Sequence, residues 1–254
     1  MSYNPYSLEN KTILVTGASS GIGKATAIEC SKLGATVVVT ARNEERLQAV
    51  YSELDRSFGQ SHQMIIADLS TEEGVADLVS KTPSLDGVSS NAGLPKTLLI
   101  KFIKQETLQE ILNINTFSHV NLAKLLFKKK KLNQAASYVF TASIGGTTSF
   151  GPGNSVYGMS KAAINSFMKF CAIEFATRGI RCNSVSPGMI VTPMTQDSST
   201  FTKEDYEKDA EKYLLKRYGR PEEVARTIVF LLSDASSFIT GDTILVDGGF
   251  TANH

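Results

Sequence analysis

The stretch TILVTGASSGIGKATAIECSKLGATVVVT, residues 12–40, changes its hydrophobic period twice. Thr12 to Thr16 is a short apolar run that stops at a glycine, the pattern of a strand buried in a parallel sheet. Ile22 to Leu33 then repeats at helical spacing and closes on Gly34, a favourable residue just past a helix end. Ala35 to Thr40 is a second, β-branched run. A strand, a helix and a strand in this order form a parallel pair joined by a crossover. Between the first strand and the helix lies TGASSGIG, Thr16 to Gly23. Its glycines, Gly17, Gly21 and Gly23, are spaced G-x-x-x-G-x-G rather than G-x-G-x-x-G. Such a turn allows a tight bend, close backbone approach to a pyrophosphate, and a helix N-terminus aimed at it. A lone glycine turn can also be a plain β–α connection, but the strand before it and the helix after it favour the dinucleotide reading.

The alternation continues to the end of the chain. Asn43 can cap a helix through about Phe58, with Glu44 and Glu45 in its first turn. Strands are expected over Met64 to Asp68, within Leu85 to Gly93, and over Tyr138 to Ser143, Ile180 to Gly188 and Thr243 to Gly249. Helices are expected from Thr71, from about Glu106 to Lys131, from about Ser155 to Thr177, and from Pro221 to about Ser233. Thr192 to Tyr218 is polar and partly helical. This is an α/β protein with a doubly wound sheet of about seven parallel strands, helices on both faces, and ligands beyond the carboxyl ends of the strands. No boundary or repeat interrupts it, so residues 1–254 read as a single domain, with a lobe at about 192–219 covering the substrate.

Composition excludes several classes. The chain has 254 residues, 42% hydrophobic, enough for a sizeable core. Lys plus Arg is 26 against 25 Asp plus Glu, a net charge of +1, which argues against binding nucleic acid or an anionic membrane by bulk charge. No apolar stretch approaches the roughly 18 residues of a membrane span, and the first residues lack the pattern of a signal peptide. Cys30, Cys171 and Cys182 show no metal-ligand spacing, so no metal is expected, and their sparse count suits a reducing cytoplasm.

Two short stretches bear on chemistry. SVYGMSK, Ser155 to Lys161, places Tyr157 and Lys161 four residues apart, on one face if helical. A phenol titrates near pH 10 and a neighbouring ammonium lowers that value, so the pair reads as a tuned acid or as two ordinary helix residues. At the end of the second strand, an NAD site would place an acid on the ribose 2′-hydroxyl. Ala41 cannot serve, and Arg42 suits a 2′-phosphate through charge-assisted bonds, or else is a solvated loop residue. The reading is NADP(H) over NAD(H).

The chain resembles the short-chain dehydrogenase/reductase family from Thr12 to Gly249. The resemblance rests on an ordered set: TGASSGIG, Asp68-Leu69, SNAG (Ser90 to Gly93), LNINT with Asn115, TAS with Ser143, YGMSK, SPGMIVT (Ser186 to Thr192) and VDGG. It implies a Rossmann-like fold and an oxidoreductase working between a ketone and a secondary alcohol. Tyr157 would be the general acid, Lys161 would hold the nicotinamide ribose and lower the tyrosine pKa, and Ser143 would bond the substrate carbonyl. Asn115 would bend the long helix and hold a water beside Lys161. Gly17, Ser19, Ser20, Gly21, Ile22 and Gly23 would cradle the pyrophosphate. Asp68 would take the adenine amino group, with Leu69 beside it, and Asn91, Ala92 and Gly93 would line the cofactor. Pro187, Gly188, Ile190 and Thr192 would form the loop over the nicotinamide. The family usually has Asn where this chain has Ser90, a position that steadies the central sheet.

Within the family, the chain resembles the 3-oxoacyl-acyl-carrier-protein reductases of fatty acid biosynthesis. In those enzymes, basic residues on two helices dock the acidic carrier. Lys128, Lys129 and the rest of KKKK, with Arg178, match that position, although cations at helix C-termini are favourable anyway. A polyol, sugar, steroid or other small alcohol is the alternative substrate, and a non-catalytic NADP(H) sensor the alternative class. Met194, Phe201, Tyr206, Tyr213 and Leu214 offer apolar surface to cap a ketone. A homotetramer or homodimer is expected, on the apolar faces of Leu108 to Leu126 and Ala162 to Phe175 and on the C-terminal strand.

Overall fold

The computed structural model describes residues 4–193 and 203–253. Seven strands form one sheet in the order β3-β2-β1-β4-β5-β6-β7. They are β1 (Thr12–Thr16), β2 (Thr36–Ala41), β3 (Gln63–Ile66), β4 (Leu85–Ser90), β5 (Leu132–Thr141), β6 (Arg181–Pro187) and β7 (Thr243–Val246), and every pairing is parallel. The helices are α1 (Gly21–Lys32), α2 (Glu44–Glu53), α3 (Glu72–Lys81), α4 (Gln105–Leu112), α5 (Ser118–Lys128), α6 (Ser155–Phe175), α7 (Lys203–Ala210) and α8 (Pro221–Leu232).

Successive strand residues point to opposite faces, so β1, β2, β5 and β6 each feed two cores. Leu14, Val38, Val88 and Phe140 pack with Leu122, Ile164 and Met168 beneath α5 and α6. Ile13, Val37, Val139 and Val185 pack with Ala27, Leu47 and Ile228 beneath α1, α2 and α8. Burial on both faces explains why the strands read as continuous apolar runs.

Three boundaries differ from the sequence reading. Helix α2 stops at Glu53 instead of continuing to Phe58. Leu54 turns extended and is buried, and the Arg56 guanidinium donates to the Leu54 and Tyr51 carbonyls that the helix leaves open. Strand β5 begins at Leu132, six residues before Tyr138. Its ladder jumps from Leu85↔Leu132 to Gly87↔Ser137, and Ala135, at φ +57°, sits in that bulge. The long helix is not continuous: a π turn, Asn113–Phe117, joins α4 to α5. Such a turn inside a helix re-aims the side chains within it.

Candidate active site

The glycine turn closes on itself. Gly17 and Gly21 have φ of +62° and +54°, a region glycine enters without strain. A Cβ on Gly23 would lie 2.2 Å from the Gly17 carbonyl oxygen, and one on Gly17 would lie 2.9 Å from the Ala92 Cα. The Thr16 hydroxyl accepts from the Asn91 and Ala92 amides at 2.9 and 3.1 Å, joining this turn to the one after β4. Helix α1 has no acidic residue in its first turn, and the Ser20 side chain does not cap it. Its leading N–H groups are therefore suited to an anion, and the glycines leave room for one to approach. Ser19, Ser20 and Ile22 lie in this half-buried turn.

The π turn aims Asn115 into the interior, fully buried. Its Oδ1 accepts from the Leu94 amide at 2.7 Å, and its Nδ2 donates to the Leu94 carbonyl at 2.9 Å and the Ser160 hydroxyl at 3.1 Å. One turn on, His119 is also buried. Its Nε2 bonds the Ala92 carbonyl at 2.8 Å and its Nδ1 meets the Ser90 hydroxyl at 2.7 Å. A carbonyl only accepts, so the proton sits on Nε2 and Ser90 donates to Nδ1. Burial, helped by the charge of Lys161, pushes the imidazole down to about 3. The sequence reading missed His119. The signal was there, a histidine four residues after Asn115, but its partner Ser90 is distant in sequence.

Lys161 is buried and donates to the Thr141 carbonyl at 2.9 Å. Burial pushes its ammonium down to about 8. A Cβ on Gly93 would lie 3.3 Å from both the Lys161 Nζ and the Asn115 Oδ1, so both border the turn after β4. Tyr157, half-buried, lies on the same side of α6, with the Lys161 Nζ 5.9 Å from its ring centroid. The phenol is raised by burial, with a bond to the Ser143 hydroxyl working the other way. Burial is the larger influence on the phenol here, and the Lys161 ammonium is bonded to the Thr141 carbonyl. Ser143 also accepts from the Gly145 amide at 3.1 Å.

Arg42 is exposed at the end of β2. The Asp68 carboxylate is held below its ordinary range by bonds from the Ser70 amide and hydroxyl, and to a lesser degree by the Arg42 charge. The Leu69 side chain is buried in the core. Pro187 ends β6, and the Gly188 amide donates to the Val246 carbonyl. The Ile190 side chain packs in the core, and its backbone bridges to Gly219. Thr192 stands over the phosphate turn, its Cγ2 3.3 Å from where a Gly21 Cβ would be.

Other expectations divide. The Arg178 guanidinium donates to the Leu132 carbonyl and lies over the Phe127 ring, and Lys131 donates to the Thr82 carbonyl. Arg178 thus ties the end of α6 to β5, and Lys131 ties the end of α5 to the end of α3, while Lys128, Lys129 and Lys130 are exposed. Tyr213 is buried against Gly188, so its ring offers no capping surface, while Leu214 touches Gly249 and keeps about half of its surface exposed. Met194 and Phe201 lie outside the described residues. Among the described residues no cluster of His, Cys, Asp or Glu could hold a metal, and no helix is long and apolar enough to cross a membrane.

Residues 17–251 match the family model described as Enoyl-(Acyl carrier protein) reductase. The chain is 36% identical over 242 residues to the 3-oxoacyl-[acyl-carrier-protein] reductase of Rickettsia felis, covering 95% of this chain and 97% of that one. The chain belongs to the short-chain dehydrogenase/reductase family. It is an oxidoreductase of that family, acting on CH–OH or ketone groups. It is also 34% identical over 245 residues to the glucose 1-dehydrogenase of Gluconobacter oxydans, covering 95% and 92% of the two chains. Among solved structures, a short-chain type dehydrogenase/reductase from Mycobacterium marinum superposes with a TM-score of 0.86 at 32% identity, covering 97% and 98%.

Proposed function

We propose that this dehydrogenase/reductase reduces a 3-oxoacyl group carried on an acyl-carrier protein, with NADP(H) as its cofactor. The observation that supports the reading most is the convergence of Ser143, Tyr157 and Lys161 beside a side-chain-free turn at the carboxyl edge of the sheet. The glycine turn and α1 would hold the pyrophosphate, Arg42 the 2′-phosphate, and Asp68 the adenine. Lys161 would bond the nicotinamide ribose, and Thr192 the carboxamide. Bound there, the nicotinamide would supply the hydride.

The protein's own part is orientation and the proton. Ser143 hydrogen-bonds the ketone oxygen and holds it at the phenol. Tyr157, kept protonated at neutral pH by burial, gives its O–H proton to that oxygen as the alcohol forms. Lys161 stabilises the phenolate left behind, and Asn115 fixes the Leu94 backbone beside it, where a water can return the proton. Lys128 and Lys129 are the exposed cations that would meet the carrier. The exposed Phe117, Phe170 and Ile173 suit a contact between copies of the chain.

The glucose 1-dehydrogenase relative favours a second reading, a sugar or other small alcohol. A panel of a carrier-bound 3-oxoacyl thioester, its free thioester and glucose, each with NADP(H) and NAD(H), separates the two. The proposal expects the carrier-bound substrate to show the lowest KM, with a salt-sensitive advantage. It expects Arg42→Ala to lower kcat/KM with NADPH about tenfold or more and to leave NADH unchanged. Equal loss with both cofactors would remove Arg42 from the site.

A further inference from the structure

We infer that Tyr213 is a positioning residue through which the 203–219 segment sets the placement of the cofactor loop, residues 188–192. The inference rests on the proposed binding of NADP(H) beneath that loop. Tyr213 is 4% exposed, with Tyr218 and Phe250 packed against its ring at centroid distances of 5.6 and 5.0 Å. The ring also fills the space left by two glycines: a Cβ on Gly188 would come within 3.1 Å of it and one on Gly248 within 3.4 Å. Its hydroxyl then accepts from the Met189 amide at 3.0 Å.

The same segment holds the other side of Met189. The Gly219 amide donates to the Met189 carbonyl at 3.0 Å, and the Val191 amide donates to the Gly219 carbonyl at 2.9 Å. Both backbone groups of Met189 are thus bonded to the 203–219 segment. Three residues further on, Thr192 stands against Gly21 of the phosphate turn. The chain between them is only two residues long and is itself bridged to Gly219, so a shift at Met189 is carried to Thr192. Burial pushes the Tyr213 phenol up to about 12, which keeps the hydroxyl uncharged at any working pH. A shift of the 203–219 segment is therefore carried to the loop through one hydroxyl and one backbone bridge.

Tyr213→Phe isolates the hydroxyl, because the ring packing survives. Three measurements apply: hydrogen exchange of the peptide spanning 188–192, NADPH affinity by fluorescence titration, and Tm. The amide at Met189 should exchange about tenfold faster, the glycine-turn peptide should be unchanged, and the NADPH Kd should rise by roughly five- to tenfold. Tm should move little. Unchanged exchange and Kd would overturn the inference. So would a variant that fails to fold, since the hydroxyl would then support the fold rather than place the loop. If the wild-type protein bound no NADPH, the functional reading would fail, while the exchange comparison would still report on the tether.

Discussion

The turn after β4 and the loop after β6 lie at the same edge of the sheet and are built differently. In the first, the backbone groups are matched by buried side chains: Thr16 to the Asn91 and Ala92 amides, His119 to the Ala92 carbonyl, and Asn115 to both groups of Leu94. Those side chains belong to β1 and to the helix packed on the sheet. In the second, the partners are Val246, Gly219 and the Tyr213 hydroxyl, two of them from a segment outside the sheet. The first support is set by the core and does not wait for a ligand. The second depends on where the covering segment sits. The fold thus fixes the first turn from the core and ties the second to a neighbouring segment.

Removing the chemistry without touching either support gives the largest effect. Tyr157→Phe should lower kcat by about a thousandfold, within the usual range for a general acid, with NADPH Kd changed by less than about tenfold. A fall in binding as large as the fall in kcat would mean that Tyr157 supports the cofactor rather than the reaction.

A break in the rigid support should come next. In Gly23→Ala the new methyl meets the Gly17 carbonyl at 2.2 Å and the Asn91 Nδ2 at 2.8 Å. Affinity for NADPH should fall roughly 10- to 100-fold. Gly151→Ala is the control, since no described atom lies within 4 Å of its Cβ position. If both variants bind alike, the turn is not the cradle.

The smallest effect sharpens the comparison through pH. His119 is held at about 3 in the folded protein against an ordinary value of 6.5. Between those values the unfolded chain takes up a proton that the native protein refuses, so stability falls as pH falls through 6.5. From pH 7.5 to pH 5, the loss from this residue is about 2 kcal/mol. His119→Gln cannot titrate and should lack that increment in urea unfolding at the two pH values. Identical acid sensitivity in both proteins would show that the imidazole is not kept neutral.

What was legible in the sequence follows from how local each feature is. The β1–α1–β2 unit was read within a few residues because period and glycine position are written in adjacent residues. The α2 end was missed because Arg56, outside the helix, takes its open carbonyls. The bulge near Ala135 hid the start of β5 by breaking the alternation that marks a strand. Arg178 looked like a docking cation because a basic residue at a helix end reads the same whether it faces solvent or a carbonyl. Tyr213 looked like substrate-capping surface because an aromatic in a polar segment gives no direction.

By itself, the sequence determined the α/β class and the glycine-rich turn between β1 and α1, since these depend on periodicity and on residues close together in the chain; Ser143, Tyr157 and Lys161 were singled out by the family resemblance. Only the tertiary structure decided that burial, not the lysine charge, is the main influence on the Tyr157 phenol. It alone paired His119 with Ser90 and turned Tyr213 toward Met189. Desolvation and long-range hydrogen bonds arise from which segments the fold packs together, and no spacing along the chain encodes them.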